Sequence, residues 1–329
     1  MKRVASVTLR EERGRVEVCE TVDGATRGLP WIRFRRGDGP RLVVTSAVHG
    51  NEVTGIRALQ LFYDELRARS FHGTVTCLPM LNPSGCESNR REVSETSEDL
   101  NRFFPGRSDG GFAERLASAG YQAILGESPD CHVDLHADSS ESIAYVILDR
   151  YLNAESAQLL PRVESLSAAF DAIRLYDWPL DQYRSSRLDA SLSGSVLNQG
   201  KVPSFTVELG TLRYADEAKA VLACRGLLGV MARLGMMEPG ATGGPEAAAP
   251  KVELRRYTPL RAERAGFGRF LVRAGQRVEA GMVICELSDV FRTRVEELKS
   301  PVSGVVLSIP DRYWFSPGMG LLTMAVRDE

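Results

Sequence analysis

Apolar and polar positions change rhythm repeatedly along the chain. Residues 41–48, R-L-V-V-T-S-A-V, form an apolar run with no charge after Arg41, which predicts a strand buried on both faces. Over 52–69 the apolar residues Val53, Ile56, Leu59, Phe62, Tyr63 and Leu66 recur at three- and four-residue steps, which predicts a helix. Gly73 ends it, and 74–81 predicts the next strand. The alternation continues with a helix over 112–125, strands over 131–137 and 143–148, and helical spacing over 152–170. A strand over 204–209 and an Ala- and Leu-rich helix over 215–234 follow. Strands alternating with helices predict an α/β fold: a mixed, mostly parallel sheet with helices on both faces. In such sheets ligand sites gather at the carboxyl ends of strands.

The texture changes near residue 237. The stretch 237–250, M-E-P-G-A-T-G-G-P-E-A-A-A-P, has no periodic apolar face and reads as a linker or long loop. Beyond it, short apolar runs are broken by glycine, and no helix of useful length fits. The expected organisation is a first domain over 1–238, a linker over 239–250, and a small all-β barrel or sandwich over 251–329.

Composition narrows the class of partner. The 329 residues include 41 basic and 43 acidic side chains, so nucleic acid and anionic membrane have no electrostatic case as main partners. No apolar stretch approaches the ~20 residues of a membrane span. The N-terminal segment lacks the apolar core of a signal peptide, which points to a cytoplasmic protein. The six cysteines include no C-x-x-C pair and read as ordinary thiols, with Cys131, next to His132, the one to watch.

Candidate chemistry begins at 46–55, S-A-V-H-G-N-E-V-T-G, where the first strand ends on a histidine with a carboxylate three residues on. Gly50 reads as the bend that aims the His49 imidazole and the Glu52 carboxylate at one point. A catalytic zinc commonly takes two histidines, a carboxylate and a water. Of the other histidines, His72 sits in a helix-ending turn with no acidic or apolar setting. His132 and His136 share C-H-V-D-L-H-A-D; His136 lies at the end of that strand, beside Asp134 and Asp138, and is the better third ligand. H-x-x-E alone is a short spacing that also occurs by accident.

Other segments add weight. Residues 82–106 read either as a polar surface loop or as a functional one, since structureless loops of that length are uncommon in compact domains. The segment holds Arg90, Arg91 and Arg102, and arginine grips a carboxylate with two hydrogen bonds. Asn101 adds a neutral donor. Glu208 sits inside the apolar strand S-F-T-V-E-L-G, where a carboxylate is costly unless paired or used. Near a metal-activated water it would serve as general base.

Together H-G-N-E, N-P-x-G, D-L-N-R-F-F-P-G, D-L-H and F-T-V-E-L-G resemble the succinylglutamate desuccinylase/aspartoacylase family of the zinc carboxypeptidase clan, over roughly residues 40–235. Each motif is weak alone; their order and spacing are what is specific. The resemblance implies a zinc-carboxypeptidase-like catalytic domain over 1–238 with one zinc held by His49, Glu52 and His136. Glu208 would activate the zinc-bound water and pass its proton to the leaving amine. Arg91 would polarise the scissile carbonyl, with Arg90 as the alternative. Asn101 and Arg102 would hold the substrate's carboxylate, and Asp99 would fix the ring of His49 from behind. Family members often append a small β-domain similar to a biotinyl/lipoyl carrier. The turn L-S-D-V-F here lacks the lysine such a carrier modifies, so no attached cofactor is expected.

One departure matters. Family members acting on N-acyl aspartate carry an arginine some ten residues before the catalytic glutamate. The stretch S-G-S-V-L-N-Q-G-K-V-P here offers Asn198, Gln199 and Lys201 instead, which argues against aspartoacylase proper. Tyr183, Arg184 and Arg187 either line the pocket or belong to a solvated loop. The leading reading is a zinc amidohydrolase, a deacylase acting on a small N-acyl amino acid or related amine. The alternatives are a metallocarboxypeptidase that clips a terminal residue from a peptide and an inactive binding protein. A symmetric homodimer is the expected assembly.

Overall fold

Six consecutive buried residues, Cys131–His136, form the strand at the middle of the sheet. The computed structural model describes residues 8–20, 24–238 and 251–328. Cys131–His136 pairs in parallel with Arg41–Ser46 on one side and Ser204–Glu208 on the other. Arg41–Ser46 continues in parallel to Gly73–Leu78, and an antiparallel hairpin, Arg10–Glu20 with Thr26–Arg36, covers that flank. On the other flank Tyr145–Leu148 runs antiparallel to Ser204–Glu208 and parallel to Ile173–Tyr176. Parallel pairs therefore fill the centre of a mixed sheet.

The period-2 alternation of strand side chains gives this sheet a core on each face. Leu42 and Val44 join Val133, Leu135 and the apolar faces of helices Thr54–Ala68 and Glu217–Arg233. Val43 points the other way, into a core with Leu116, Ala117 and Ile124 of helix Phe112–Gly126.

Two local readings change. The helical spacing over 152–170 forms two short helices, Ala154–Gln158 and Leu160–Ser167. Pro161, at the start of the second, has no N–H for the backbone ladder, so a continuous helix is interrupted there. The polar stretch 82–106 is anchored rather than loose. It contains a helix, Pro83–Ser88, whose cap Asn82 accepts from Gly85 N–H at 3.0 Å, and it buries Val93, Leu100 and Phe104. The bend expected at Gly50 is present, in the turn that the Glu52 N–H closes onto the His49 carbonyl at 3.2 Å, and Ala47 just before it has a φ of 51°. Gly50 is required for a second reason: a Cβ there would lie 1.9 Å from the backbone carbon of Gly85.

The linker expected over 239–250 lies outside the described residues. Beyond it, the described residues form strands and no helix. Leu254–Tyr257 pairs in parallel with Ile173–Tyr176 and antiparallel with Thr323–Arg327, so the main sheet continues into this segment. Gly304–Ile309 and Arg277–Val278 extend it further. Val295–Lys299, Val283–Ser288, Gly266–Phe270 and Trp314–Phe315 form a second, antiparallel sheet. Among the described residues no helix is long and apolar enough to cross a membrane.

Gly50→Ala is expected to lower stability by about 1–3 kcal/mol, because the Gly50 and Gly85 segments must part. Gly126→Ala, in open space at a helix end, is the control, expected to be neutral or stabilising by up to about 1 kcal/mol. Thermal denaturation of both variants checks this; a Gly50→Ala protein melting with the parent would refute the contact account.

Candidate active site

The register of three parallel strands brings the candidate residues together. Ser46 pairs with Leu135, and His136 pairs with Glu208. His49, just past the first strand, thus reaches the same sheet end as His136 and Glu208. Helix Thr54–Ala68 begins directly after Glu52, which holds the Glu52 carboxylate beneath both rings.

Glu52 is 2 % exposed and sits at the centre. Its Oε1 lies 2.7 Å from His49 Nδ1, and its Oε2 lies 2.9 Å from His136 Nδ1. Ala137 N–H donates to Oε2 at 2.9 Å and Arg91 Nη1 to Oε1 at 3.3 Å. Burial opposes charge on this carboxyl, yet the two imidazoles override it and hold the group well below the usual carboxylate range. Behind the rings stand two further acids: Asp99 Oδ1 is 3.0 Å from His49 Nε2, and Asp134 Oδ2 is 2.8 Å from His136 Nε2. Burial disfavours a charged His136, but Asp134 and Glu52 raise its pKa well above the ordinary value.

His49, Glu52 and His136 offer ligand atoms that all lie within 4.8 Å of one another. The donor set fits a metal. An imidazole that donates Nε2–H to a carboxylate can offer its Nδ1 lone pair to a metal, and here both rings place Nε2 against an acid and Nδ1 toward Glu52. Two imidazole nitrogens and one carboxylate are a set that zinc takes readily. His132 is not part of the cluster. It is fully buried, 2.9 Å from both Thr45 Oγ1 and Ser204 Oγ, and burial pushes its pKa down to about 4.

The cluster opens into a cleft of about 170 Å³. Arg91, Asn101, Arg102 and Glu208 line it with the three ligands. Arg91 also donates to Asp99 Oδ2 at 3.1 Å, so one arginine spans Glu52 and Asp99. Arg90, the alternative to Arg91, is exposed and does not line the cleft. Its backbone N–H closes the turn onto the Gly85 carbonyl, which sends its side chain away from the neighbouring Arg91. Asn101 accepts from Leu192 N–H at 2.7 Å, and Arg102 donates to the Asn101 carbonyl at 2.7 Å. Glu208 carries a buried Oε2 with no hydrogen-bond partner; desolvation pushes its carboxyl up to about 8.

Several cleft residues were not foreseen. Asp149 and Asp177 follow strands Tyr145–Leu148 and Ile173–Tyr176, and Arg256 enters from Leu254–Tyr257. The signal for the two acids was the one that marked His136: a polar residue at the carboxyl end of an apolar run. Arg256 had no local signal. Tyr183 is buried and donates to Asp149 Oδ1 at 2.8 Å, whereas Arg184 and Arg187 are exposed. Asn198 supports the chain at Arg150 and Leu152 and does not line the cleft.

Comparison with known proteins gives the family. Residues 38–234 match the model of the succinylglutamate desuccinylase/aspartoacylase catalytic domain. The chain belongs to that family, a family of deacylating hydrolases. It is 26% identical over 268 residues to an N-alpha-acetyl-L-2,4-diaminobutyric acid deacetylase of Halomonas elongata, covering 81% of this chain and 76% of that one. Among solved structures, a succinylglutamate desuccinylase/aspartoacylase from Rhodobacter sphaeroides superposes with a TM-score of 0.80 at 22% identity, over 98% of this chain and 96% of that one. The product-bound ectoine utilization protein EutE (DoeB) from Ruegeria pomeroyi superposes with a TM-score of 0.77 at 18% identity, over 97% and 95%.

Asp149 generates a prediction about stability. Burial, then the neighbouring Asp177, pushes its carboxyl up to about 7. Between about pH 4, the ordinary value, and pH 7 the folded state holds a proton that the unfolded state has lost. Stability is thus full below pH 4 and falls as pH rises to 7, by on the order of 3–4 kcal/mol. Asp149→Asn should flatten that fall, so it gains on the parent at pH 8 but not at pH 4. Denaturant titrations at the two pH values check it; the same difference between the two proteins at both would refute it.

Proposed function

We propose that the protein is a zinc-dependent deacylase that hydrolyses the amide of a small N-acyl amino acid. One observation carries the reading: a three-ligand cluster, an unpartnered buried carboxylate at Glu208, and the cationic side chains of Arg91 and Arg102 face one cleft. The family and the named deacetylation by the Halomonas relative support it. The small cleft favours a small substrate over a peptide.

His49, Glu52 and His136 would hold the zinc, with Asp99 and Asp134 fixing the two rings. When bound, zinc supplies the Lewis acidity that activates water and polarises a carbonyl. Glu208 would take the proton of the attacking water onto its free Oε2 and hand it to the leaving nitrogen. Its raised pKa suits both halves, because a carboxyl near neutrality accepts and releases a proton without a large penalty. Arg91 would face the oxygen of the scissile carbonyl and stabilise the negative charge that develops there. Its own ion pairs to Glu52 and Asp99 keep that guanidinium in place before substrate arrives. Arg102, set against Asn101, would hold the substrate's carboxylate. The products are a carboxylate and a free amine.

Elemental analysis should find about one zinc per chain in the parent and none in His49→Ala or His136→Ala. Asp99→Asn should weaken zinc binding by about 10–100-fold. With zinc restored, Glu208→Gln should lose on the order of 10²–10⁴ in kcat, and Arg91→Ala on the order of 10²–10³. Folded protein that binds no zinc sinks the proposal. Turnover of peptides with a free C-terminus but of no N-acyl amino acid would make it a carboxypeptidase instead.

A further inference from the structure

Three acids lining the cleft, Asp138, Asp149 and Asp177, have no part in the proposed chemistry, and of these Asp149 alone has a buried oxygen without a partner. Leu148 and Tyr176 are register partners on neighbouring parallel strands, so the residues that follow them, Asp149 and Asp177, emerge side by side at the carboxyl end of the sheet. Both line the cleft and both are nearly buried, at 4 % and 3 % exposure. Their partners differ. Asp177 Oδ1 takes Arg256 Nη1 at 3.2 Å and the Trp178 N–H at 2.8 Å. Arg256 lies over the Trp178 ring, 4.9 Å from its centroid, which fixes the guanidinium against Asp177. Asp149 Oδ1 accepts from the Tyr183 hydroxyl at 2.8 Å, the Ser193 hydroxyl also lies against the carboxyl, and Asp149 Oδ2 has no hydrogen-bond partner.

Asp177 thus has a guanidinium against it, and no ion pair reaches Asp149 among the described residues. The remaining cations of the cleft face other groups: Arg91 pairs with Glu52 and Asp99, and Arg102 is set against Asp99 and the Asn101 carbonyl. A buried carboxylate oxygen without donor or counter-charge is unfavourable. A cationic ligand group that supplies both would relieve it on binding. A neutral or anionic side chain would leave it bare or repel it.

We propose that Asp149, flanked by the Asp177–Arg256 pair, is a specificity-determining subsite for an ammonium group on the side chain of the substrate's amine half. The substrate class is then an N-acyl diamino acid, and the released amine carries two amino groups. The inference rests on the deacylase reading for the site of cleavage, but not for the binding of the amine half. Arg256 comes from the C-terminal segment, so that segment takes part in substrate choice by pairing with Asp177 and leaving Asp149 as the carboxyl without a counter-charge.

A matched pair of compounds tests it on the zinc-loaded full chain: Nα-acetyl-2,4-diaminobutyrate and Nα-acetyl-2-aminobutyrate, which differ by the ammonium alone. The parent should favour the first by about 10–100-fold in kcat/KM, mostly through KM. In Asp149→Asn that ratio should fall to within about threefold of unity. Calorimetric binding of the free amino acids, 2,4-diaminobutyrate against 2-aminobutyrate, should show the same preference in the parent. Equal rates and equal binding for the pair, or a preference for Nα-acetyl-aspartate, would overturn the subsite. Failure to cleave any amide would sink the deacylase reading alone. The binding pair would still decide the subsite: preference for the diamine upholds it, and equal or no binding overturns it.

Discussion

The structure is organised around one buried carboxylate. Glu52 is almost wholly removed from water, and a charge there is tolerable only if it is surrounded by donors. The donors come from different parts of the chain. His49 lies on the preceding turn, His136 and the Ala137 N–H at the end of a neighbouring strand, and Arg91 on the long segment after strand Gly73–Leu78. Each must arrive within hydrogen-bond reach or the carboxylate is left bare. That requirement explains the strand register, which aligns the sheet ends. It also explains the bare backbone at Gly50, which lets the arginine segment close down. A metal between the three ligands would answer the same charge from the same place.

How far this could be read from residues depends on how local each cause is. The central strands were legible because a strand buried on both faces is an apolar run, and Cys131–His136 is buried at all six positions. Helices Thr54–Ala68 and Phe112–Gly126 were legible because one face is wet and one dry. Helix Leu192–Asn198 escaped notice because every residue in it is buried, so its sequence shows no contrast between faces. The ligands were legible because they follow strands and sit in short motifs. The choice between Arg90 and Arg91 was not, since adjacent residues point apart and only the folded loop decides which faces inward. The turn at Gly50 is legible because its cause is local, whereas the second constraint there comes from Gly85, far along the chain.

Arg256 shows the limit most clearly. Nothing near it in sequence marks a site. It reaches the cleft because Leu254–Tyr257 takes the next place in the sheet beside Ile173–Tyr176, a pairing between segments about eighty residues apart. Such long-range pairing has no local signature. Its consequence is chemical as well as architectural, because Arg256 is the arginine that forms an ion pair with Asp177 in the cleft.

The acids of this cleft divide by environment, and the division separates support from chemistry. Glu52, Asp99 and Asp134 all have their carboxyls held low by imidazoles or arginine, despite burial. Asp177 has its arginine. These groups are satisfied in the free protein and hold other residues in place. Glu208 and Asp149 are the exceptions. Each has one buried oxygen without a partner, and each is pushed up toward neutrality, Glu208 to about 8 and Asp149 to about 7. A fold tolerates such groups at a cost in stability, so their presence in one cleft calls for something that arrives later to complete them. For Glu208 that is a proton in transit. For Asp149, which has no reacting atom assigned to it, it is a positive charge on the ligand.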